Sequence, residues 1–352
     1  MIKLYTPVLR NRQSEMAALS ELSFDIKQTI IPLIDIARPN ETLGSQKYEN
    51  YVQNGLNRLA KKIIDFNIIF LDSSELPADY RIDGERHPLL AAANVFDANL
   101  EIIPVTGIQR DNDHNKAVKE ILKDTNNRKI GIRLDEDDIS TFRISHSEIQ
   151  QLLNHLEMNQ YEVFLILDIG PVKEEDIQQI KDNIQKWVDL VAEMKNWKLI
   201  VITLSIPEEI YKIVSPRSCE YIPRLDQRIN QIIEVKDDVT VWFGDYTTVH
   251  PVQIEIDIKQ IYKTVCPKVI YSLENYWFIV RGGPFAKHGY TQFYDLANSI
   301  VALDEFSGEH FSRGDKYIYD KAQRIGKPGN ISTWIQASIN HHITLKATMY
   351  TA

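Results

Sequence analysis

The chain has 352 residues and a formal net charge of −9, with 40 Lys and Arg residues against 49 Asp and Glu residues. A surface that binds duplex nucleic acid must neutralise phosphates, so this acidic balance argues against a nucleic-acid partner. Cys219 and Cys266 are too few for a disulfide framework or a four-thiolate metal site, and no apolar run reaches the roughly 20 residues of a membrane span. We therefore expect a soluble, cytoplasmic protein with no membrane partner.

Short apolar runs rich in β-branched residues recur along the first two-thirds of the chain. Each run is hydrophobic almost throughout, as expected for strands of a parallel sheet that is buried on both faces. We predict eight strands, at residues 6–10, 30–36, 67–73, 101–108, 129–135, 162–170, 198–205 and 239–246.

Stretches with hydrophobic residues three or four positions apart separate these runs and predict helices, the longest at residues 174–194. The strands begin roughly 25 to 40 residues apart, which is the length of a βαβ unit. Eight strands alternating with helices predict an α/β fold, a (β/α)8 TIM-like barrel. A doubly wound open sheet is the alternative, but residues 11–15 after the first strand lack the glycine-rich phosphate turn typical of that fold.

The pattern changes after the eighth predicted strand. Residues 268–283 predict a β-hairpin with Glu274 and Asn275 near its turn, and residues 290–303 and 333–350 predict helices. The C-terminal region is thus a hairpin-plus-helix elaboration of the barrel.

These patterns predict two parts that pack as one compact unit. Residues 1–266 form the barrel and residues 267–352 form the C-terminal extension. The eighth barrel helix is assigned either to residues 256–265 or to the C-terminal region.

Charged residues fall at the C-terminal ends of the predicted strands. Alternate side chains of a barrel strand point inward, and the C-terminal ends line the mouth where active sites lie. By this alternation, the side chains of Arg10 on the first strand and Arg133 on the fifth point inward. Thr106 and Thr203 end the fourth and seventh strands. Five strands carry an Asp on the same face as residues suited to the barrel interior. These are Asp35, Asp72, Asp135, Asp168 and Asp245.

Five carboxylates that converge on one opening need cations to balance them, either arginines or a metal ion. The candidate catalytic residues, acting as acid, base or ligands of a divalent cation, are Asp72, Asp135, Asp168 and Asp245. The candidate ligand-binding residues of the barrel are Arg10, Asp35, Thr106, Arg133 and Thr203. Capping of the following helix is the alternative interpretation for each Asp.

Three chemistries fit such a mouth. Paired carboxylates hydrolyse glycosides, carboxylates with a divalent cation hydrolyse phosphoesters, and arginines clamp an anionic small molecule. No motif in the sequence chooses among them.

Several short motifs resemble the bacteriophage beta-protein family over nearly the whole chain. The family is found in phages and bacterial genomes, which implies mobile-element and antiviral defence contexts but no established activity. The resemblance adds a second cluster of candidate ligand-binding residues, which comprises Arg281, Ser312, Asp315 and His342. The motifs are residues 5–10, 12–15, 31–34, 275–277, 281–282, 311–315, Trp334 and residues 340–343.

Two functions follow as hypotheses. The first is a hydrolase that acts on a phosphate- or sugar-containing ligand at the C-terminal barrel mouth. The alternative is a non-catalytic module that binds a phage or host protein in phage defence or counter-defence, which predicts a large exposed apolar or aromatic surface around residues 271–285. Nucleic-acid binding ranks third.

Overall fold

Eight parallel strands close into a barrel in the order β1-β2-β3-β4-β5-β6-β7-β9, which confirms the predicted (β/α)8 TIM-like fold. The strands are β1 (Tyr5–Arg10), β2 (Leu33–Asp35), β3 (Ile68–Asp72), β4 (Glu101–Thr106), β5 (Lys129–Leu134), β6 (Glu162–Pro171), β7 (Trp197–Leu204) and β9 (Val241–Asp245). The computed structural model describes residues 5–39, 44–96, 99–124, 128–157, 162–194, 196–236, 239–251 and 265–351.

Helices alternate with the barrel strands and continue into the C-terminal region. A single 3-10 turn, Glu174–Asp176, precedes the long helix that the periodicity predicts. The described α-helices are Gln13–Ser20, Phe24–Gln28, Ser45–Lys62, Pro88–Ala93, Asn112–Asp124, Glu136–Ser140, Phe142–Leu156, Ile177–Glu193, Ile210–Ile213, Leu225–Ile232, Phe285–His288, Gln292–Val301, Arg313–Ala322 and Ile331–Thr351.

The barrel interior is a packed apolar core beneath the mouth. The rings of Phe70 and Phe164 meet edge to face with centroids 5.1 Å apart. Gly131 faces them, and a Cβ atom there would lie only 3.0 Å from Val105 and 3.3 Å from Ile166. Because this position carries no side chain, the large rings fill the space and the interior holds no channel.

The C-terminal region adds a three-stranded antiparallel sheet of order β10-β11-β8, with β8 (Cys219–Pro223), β10 (Lys268–Ser272) and β11 (Tyr276–Arg281). The hairpin of β10 and β11 is confirmed, and Leu273 and Tyr276 flank its turn. Strand β8 precedes residue 266 in sequence and pairs with β11, which follows it. The boundary at residue 266 stays a prediction, and the pairing shows that the two parts interlock.

The helix Ile331–Thr351, called the C-terminal helix below, joins the two parts. Its Ile339 and Ile343 pack in the core between the barrel and its surrounding helices. Its Trp334 stacks on Phe293, with ring centroids 5.0 Å apart, in the core of the C-terminal sheet and helices. The C-terminal helix therefore packs in the core around the barrel and in the core of the C-terminal region.

Two further findings concern the remaining sequence. The predicted barrel helix at residues 256–265 falls almost entirely on residues 252–264, outside the described part of the chain. Within the described residues, no helix combines the length and the hydropathy that crossing a membrane requires.

Candidate functional site

Arg133 lies at the centre of the barrel mouth and binds three carboxylates. Its Nη1 atom is 2.7 Å from Asp35 Oδ1 and 3.0 Å from Asp72 Oδ2. Its Nη2 and Nε atoms lie 2.7 Å and 2.9 Å from a single oxygen of Asp168. The four side chains come from the ends of β2, β3, β5 and β6, so the predicted inward alternation on these strands is correct. We call this group the mouth cluster.

Tyr246 completes the mouth cluster. Its hydroxyl accepts a hydrogen bond of 2.9 Å from Arg133 Nη2 and donates one to Asp168 Oδ2. The other carboxylate oxygen of Asp168, Oδ1, is buried and has no hydrogen-bond partner among the described residues. This oxygen is therefore an acceptor of the cluster that no described group occupies.

Further charged side chains surround the mouth cluster. Arg110 approaches Asp72 to 3.2 Å, and Arg10 binds Glu75 and the carbonyl oxygen of Pro251. The carboxyl groups outnumber the guanidinium groups at this end of the barrel. The acids are Glu15, Asp35, Asp72, Glu75 and Asp168, and the bases are Arg10, Arg110 and Arg133.

The carboxyl groups of the mouth differ in their affinity for a proton. Burial, followed by the neighbouring charges of Asp72 and Glu75, raises the pKa of Asp35 to about 7. Burial also raises the pKa of Glu15 to about 7. For Asp72 burial acts in the same direction, but Arg110 and Arg133 together hold its pKa below the usual range. The mouth thus holds protonatable and ionised carboxyl groups side by side.

A small cavity of about 10 Å³, enough for one water molecule, opens beside these groups. Arg10, Glu15, Asp35 and Tyr246 supply its polar wall. The remaining lining comes from Val8, Leu9, Thr247 and Val249. The proton-exchanging side of the mouth cluster is therefore a side that water reaches.

Asp245 does not belong to the mouth, and its predicted inward alternation is wrong. Strand β9 turns Trp242 toward the interior core, and Tyr246 continues that side into the mouth. Phe243 packs instead in the core outside the barrel wall, and Asp245 shares its face. The side chains on both faces of β9 are apolar, so the hydrophobic pattern of this strand does not show which face points into the barrel.

Three other predicted mouth residues point elsewhere. Asp135 is exposed and caps the helix Glu136–Ser140, accepting a hydrogen bond of 3.0 Å from the backbone of Asp138. Thr106 faces outward and binds Asn115 at 2.9 Å. Thr203 pairs in register with Asp245 and shares its outward side. For Asp135 the capping alternative is the correct one, because β5 ends one residue earlier at Leu134.

Asp245 anchors a second ionic group outside the barrel wall, which we call the sealed network. His342 Nε2 lies 2.9 Å from Asp245 Oδ1, and His342 Nδ1 lies 2.7 Å from Ser272 Oγ. Since the carboxylate accepts, His342 donates from Nε2 and Ser272 donates to Nδ1. The order is that of a Ser-His-Asp triad, but Ser272 is 1% exposed and His342 0% exposed, so no substrate reaches the hydroxyl.

Two acids and two bases balance each other in the sealed network. Arg224 lies 2.6 Å from Asp226 and 3.5 Å from Asp245, and Lys346 lies 3.6 Å and 3.8 Å from the same carboxylates. Burial, then Arg224 and Lys346, keep the pKa of His342 low, at about 4, against the raising effect of Asp245. His342 is therefore neutral in the folded protein at physiological pH.

The family-derived cluster is only partly assembled. Asp315 binds Ser312 at 2.6 Å and His341 at 2.8 Å, all within the C-terminal helices. His342 points to the barrel wall instead, and Arg281 lies at the far end of β11, where it donates to the carbonyl of Val214 at 2.7 Å. Asp315 and His342 are thus buried anchoring groups, and Arg281 is separate from both.

Sequence reasoning missed four members of the mouth. Glu75 and Arg110 lie in the loops after β3 and β4, where barrel enzymes carry functional residues, so position alone was a usable signal. Tyr246 points to the same side of the chain as Trp242, and Glu15 lies in the first turn of the first helix. Neither of these two had a distinguishing sequence signal.

The described residues offer no ligand set for the divalent cation that the sequence left open. Among them, no three side chains of His, Cys, Asp or Glu are grouped as metal binding requires. In the mouth, the guanidinium of Arg133 occupies the point where the carboxylates converge.

Comparisons with known proteins agree with the whole-chain resemblance. The family model described as Beta protein matches residues 5–347. Protein beta of Enterobacteria phage P4 is 24% identical over 360 residues, which cover 96% of this chain and 91% of the phage protein. No solved structure matches the chain. Because the family match spans nearly the full sequence, the chain belongs to the Beta protein family.

Proposed function

We propose that the barrel mouth is the active site of a hydrolase that cleaves a sugar-containing ligand. The observation that supports this is the arrangement of Asp35 and Asp168 on different nitrogen atoms of the Arg133 guanidinium. One carboxyl has a pKa near neutrality and the other has a free oxygen. Two carboxyl groups with different environments are the pattern of glycoside hydrolysis.

The roles follow from the contacts. Asp35 is partly protonated near neutral pH, so it donates a proton to the leaving oxygen as a general acid. Asp168, whose side chain is 12% exposed, accepts a proton from water or attacks the sugar carbon. Arg133 orients both carboxyl groups, and Tyr246 holds the second oxygen of Asp168 in place.

The charge of the mouth favours a sugar over a phosphate. Arg10, Arg110 and Arg133 already bind carboxylates, so a phosphate would have to displace those ion pairs. The excess of carboxyl groups also repels an anion. A sugar is neutral, and its hydroxyl groups donate to carboxylates and accept from guanidinium groups.

Residues 271–285 themselves expose little of the apolar surface that the binding-module alternative predicts around them, although Tyr221 of the paired strand β8 is 47% exposed beside Tyr276. Trp277, Phe278 and Ile279 are at most 2% exposed because they pack on both sides of the C-terminal sheet. Tyr276 alone among the large apolar side chains of this stretch is exposed, at 45%. We therefore propose the hydrolase without a second candidate.

A panel of nitrophenyl glycosides, with nitrophenyl phosphate as the competing substrate class, tests the proposal. Asp35→Asn and Asp168→Asn should each lower kcat/KM for the best glycoside by about 100-fold or more, because each removes a proton-transfer group. Asp137→Asn is the matched control, since Asp137 is an exposed carboxylate at the same end of the barrel. Hydrolysis of the phosphate alone, undiminished activity of Asp168→Asn, or neither turnover nor calorimetric binding of any glycoside would contradict the proposal.

A further inference from the structure

A second cavity, of about 180 Å³, lies between the barrel and the C-terminal region. Its walls are mainly apolar and come from the loop after β7, from the loop after β9 with His250, from β10 and from the C-terminal helix. The apolar lining comprises Ile206, Ile210, Val249, Ile270, Trp334 and Ile335. Val249 also lines the mouth cavity, so the two cavities share one wall.

Two hydroxyl groups line this apolar cavity without a hydrogen-bond partner. Thr248 is 7% exposed and Ser338 is 3% exposed, yet neither side-chain oxygen binds another described group. Because both residues line the cavity and their hydroxyl groups bind no other described group, these hydroxyl groups are available to hydrogen-bond a ligand there.

Lys268 supplies an unpaired positive charge to the same cavity. Its amino group forms no ion pair with the described residues, while its direct cross-strand partner in β11 is Arg281, another cation. Like charges in this arrangement destabilise a sheet. Arg281 donates hydrogen bonds to carbonyl oxygens at the end of the helix Ile210–Ile213, which offset its charge, whereas Lys268 has no such bonds to the described residues. Burial of the amino group and then the charge of Arg281 lower the pKa of Lys268, although much of its side chain is exposed.

We propose that this cavity binds a small amphipathic anion, an apolar ring that carries one carboxylate. The carboxylate pairs with Lys268 and accepts from the hydroxyl of Ser338 or Thr248, and the ring lies against Ile270 and Trp334. A mostly apolar cavity with a few polar groups on its wall is the usual form of a small-molecule site. Glu208 also lines the cavity, which limits the ligand to a single negative charge. This site is distinct from the mouth cluster and does not depend on hydrolysis there.

Calorimetric titration with 2-naphthoate and its uncharged analogue 2-naphthamide tests the proposal. Wild-type protein should bind both, and Lys268→Met should weaken 2-naphthoate about tenfold or more while leaving 2-naphthamide unchanged, because only the charge pairing is lost. Lys287→Met is the matched control, since Lys287 is an exposed lysine on the nearby helix Phe285–His288. Ile335→Trp should abolish binding of both probes by filling the cavity from its partly exposed edge.

Three outcomes would overturn the inference. They are the absence of saturable 2-naphthoate binding at millimolar concentration, equal weakening of both probes by Lys268→Met, and undiminished binding by Ile335→Trp. The thermal midpoint of each variant, measured without ligand, separates a loss of binding from a loss of folded protein.

Discussion

The mouth cluster and the sealed network are built from the same residue types on opposite sides of the barrel wall. In the mouth, carboxyl groups outnumber arginines, the pKa of Asp35 is raised to about 7, and a cavity reaches the cluster. In the sealed network, Asp226 and Asp245 face Arg224 and Lys346, and all four are at most 2% exposed. An inward-pointing Asp at a strand end therefore joins the mouth cluster, whereas the outward-pointing Asp245 binds the C-terminal helix.

Adjacent residues of one strand show the difference most clearly. Asp245 faces the C-terminal helix, while Tyr246 faces the mouth. The Ser272–His342–Asp245 arrangement has the hydrogen-bond order of a nucleophilic triad, but a nucleophile must also reach its substrate. Under the proposed function, the mouth cluster differs from this arrangement in that Asp35 and Tyr246 line a cavity.

The largest expected effect comes from removing one charge of the sealed network. Asp245→Ala leaves Arg224 and Lys346 with one buried carboxylate instead of two, so we expect the free energy of unfolding to fall by about 3–5 kcal/mol. Chemical denaturation measures this loss. Asp137→Ala, at an exposed carboxylate, is the control, and an equal loss in both variants would remove the distinction between the two regions.

Acid should weaken the sealed network through His342. Its folded pKa of about 4 lies below the ordinary histidine value of 6.5, so the unfolded chain binds the proton more tightly. The stability that this group contributes is present above pH 6.5. It is lost as the pH falls from 6.5 through 4, by up to about 3 kcal/mol. His342→Gln should flatten the dependence of unfolding free energy on pH in this range. An unchanged slope would show that His342 is not held neutral by burial.

The mouth should respond in the opposite sense. The folded pKa of Asp35, about 7, is above the ordinary aspartate value of 3.8, so its contribution to stability is present below pH 3.8 and lost as the pH rises through 7. Asp35→Asn should therefore raise the unfolding free energy at mildly alkaline pH by about 1–2 kcal/mol, as is common when a functional charge is removed. Calorimetric melting measures this gain, and a loss of stability would make Asp35 a structural residue.

The smallest effect is expected at Ser272. Ser272→Ala removes one buried hydrogen bond to His342, which lowers the unfolding free energy by about 1 kcal/mol. The glycoside hydrolysis proposed for the mouth should be unchanged, because Ser272 lies outside the barrel wall. Loss of hydrolysis in this variant without loss of stability would place the active site in the sealed network instead.

Much of the barrel and part of its mouth follow from local sequence patterns. The recurring apolar runs predict the strands, and the expectation that charged residues at strand ends point into the barrel is correct for Asp35, Asp72 and Asp168 and wrong for Asp245. Proximity of the three carboxylates to Arg133 then follows from the closure of the barrel.

The remaining features depend on long-range packing that local patterns do not encode. Strand β8 is polar and largely exposed, so only its pairing with β11 makes it a strand. The sealed network joins Asp245 to Lys346, residues that are distant in sequence and that the C-terminal helix brings together. Asp135 differs from Asp168 only in where its strand ends, which is the least predictable feature of a strand.

The ionisation of Asp35 tests the central claim most directly. Carbon NMR of the side-chain carboxyl groups, with Asp35→Asn to assign the resonance, follows its titration in the folded protein. The account predicts a midpoint of about 7, displaced because the carboxyl is buried beside Asp72 and Glu75. A midpoint close to the ordinary aspartate value of 3.8 would show that the mouth is a balanced ionic group like the sealed network, and would contradict the proposal that it is the functional site.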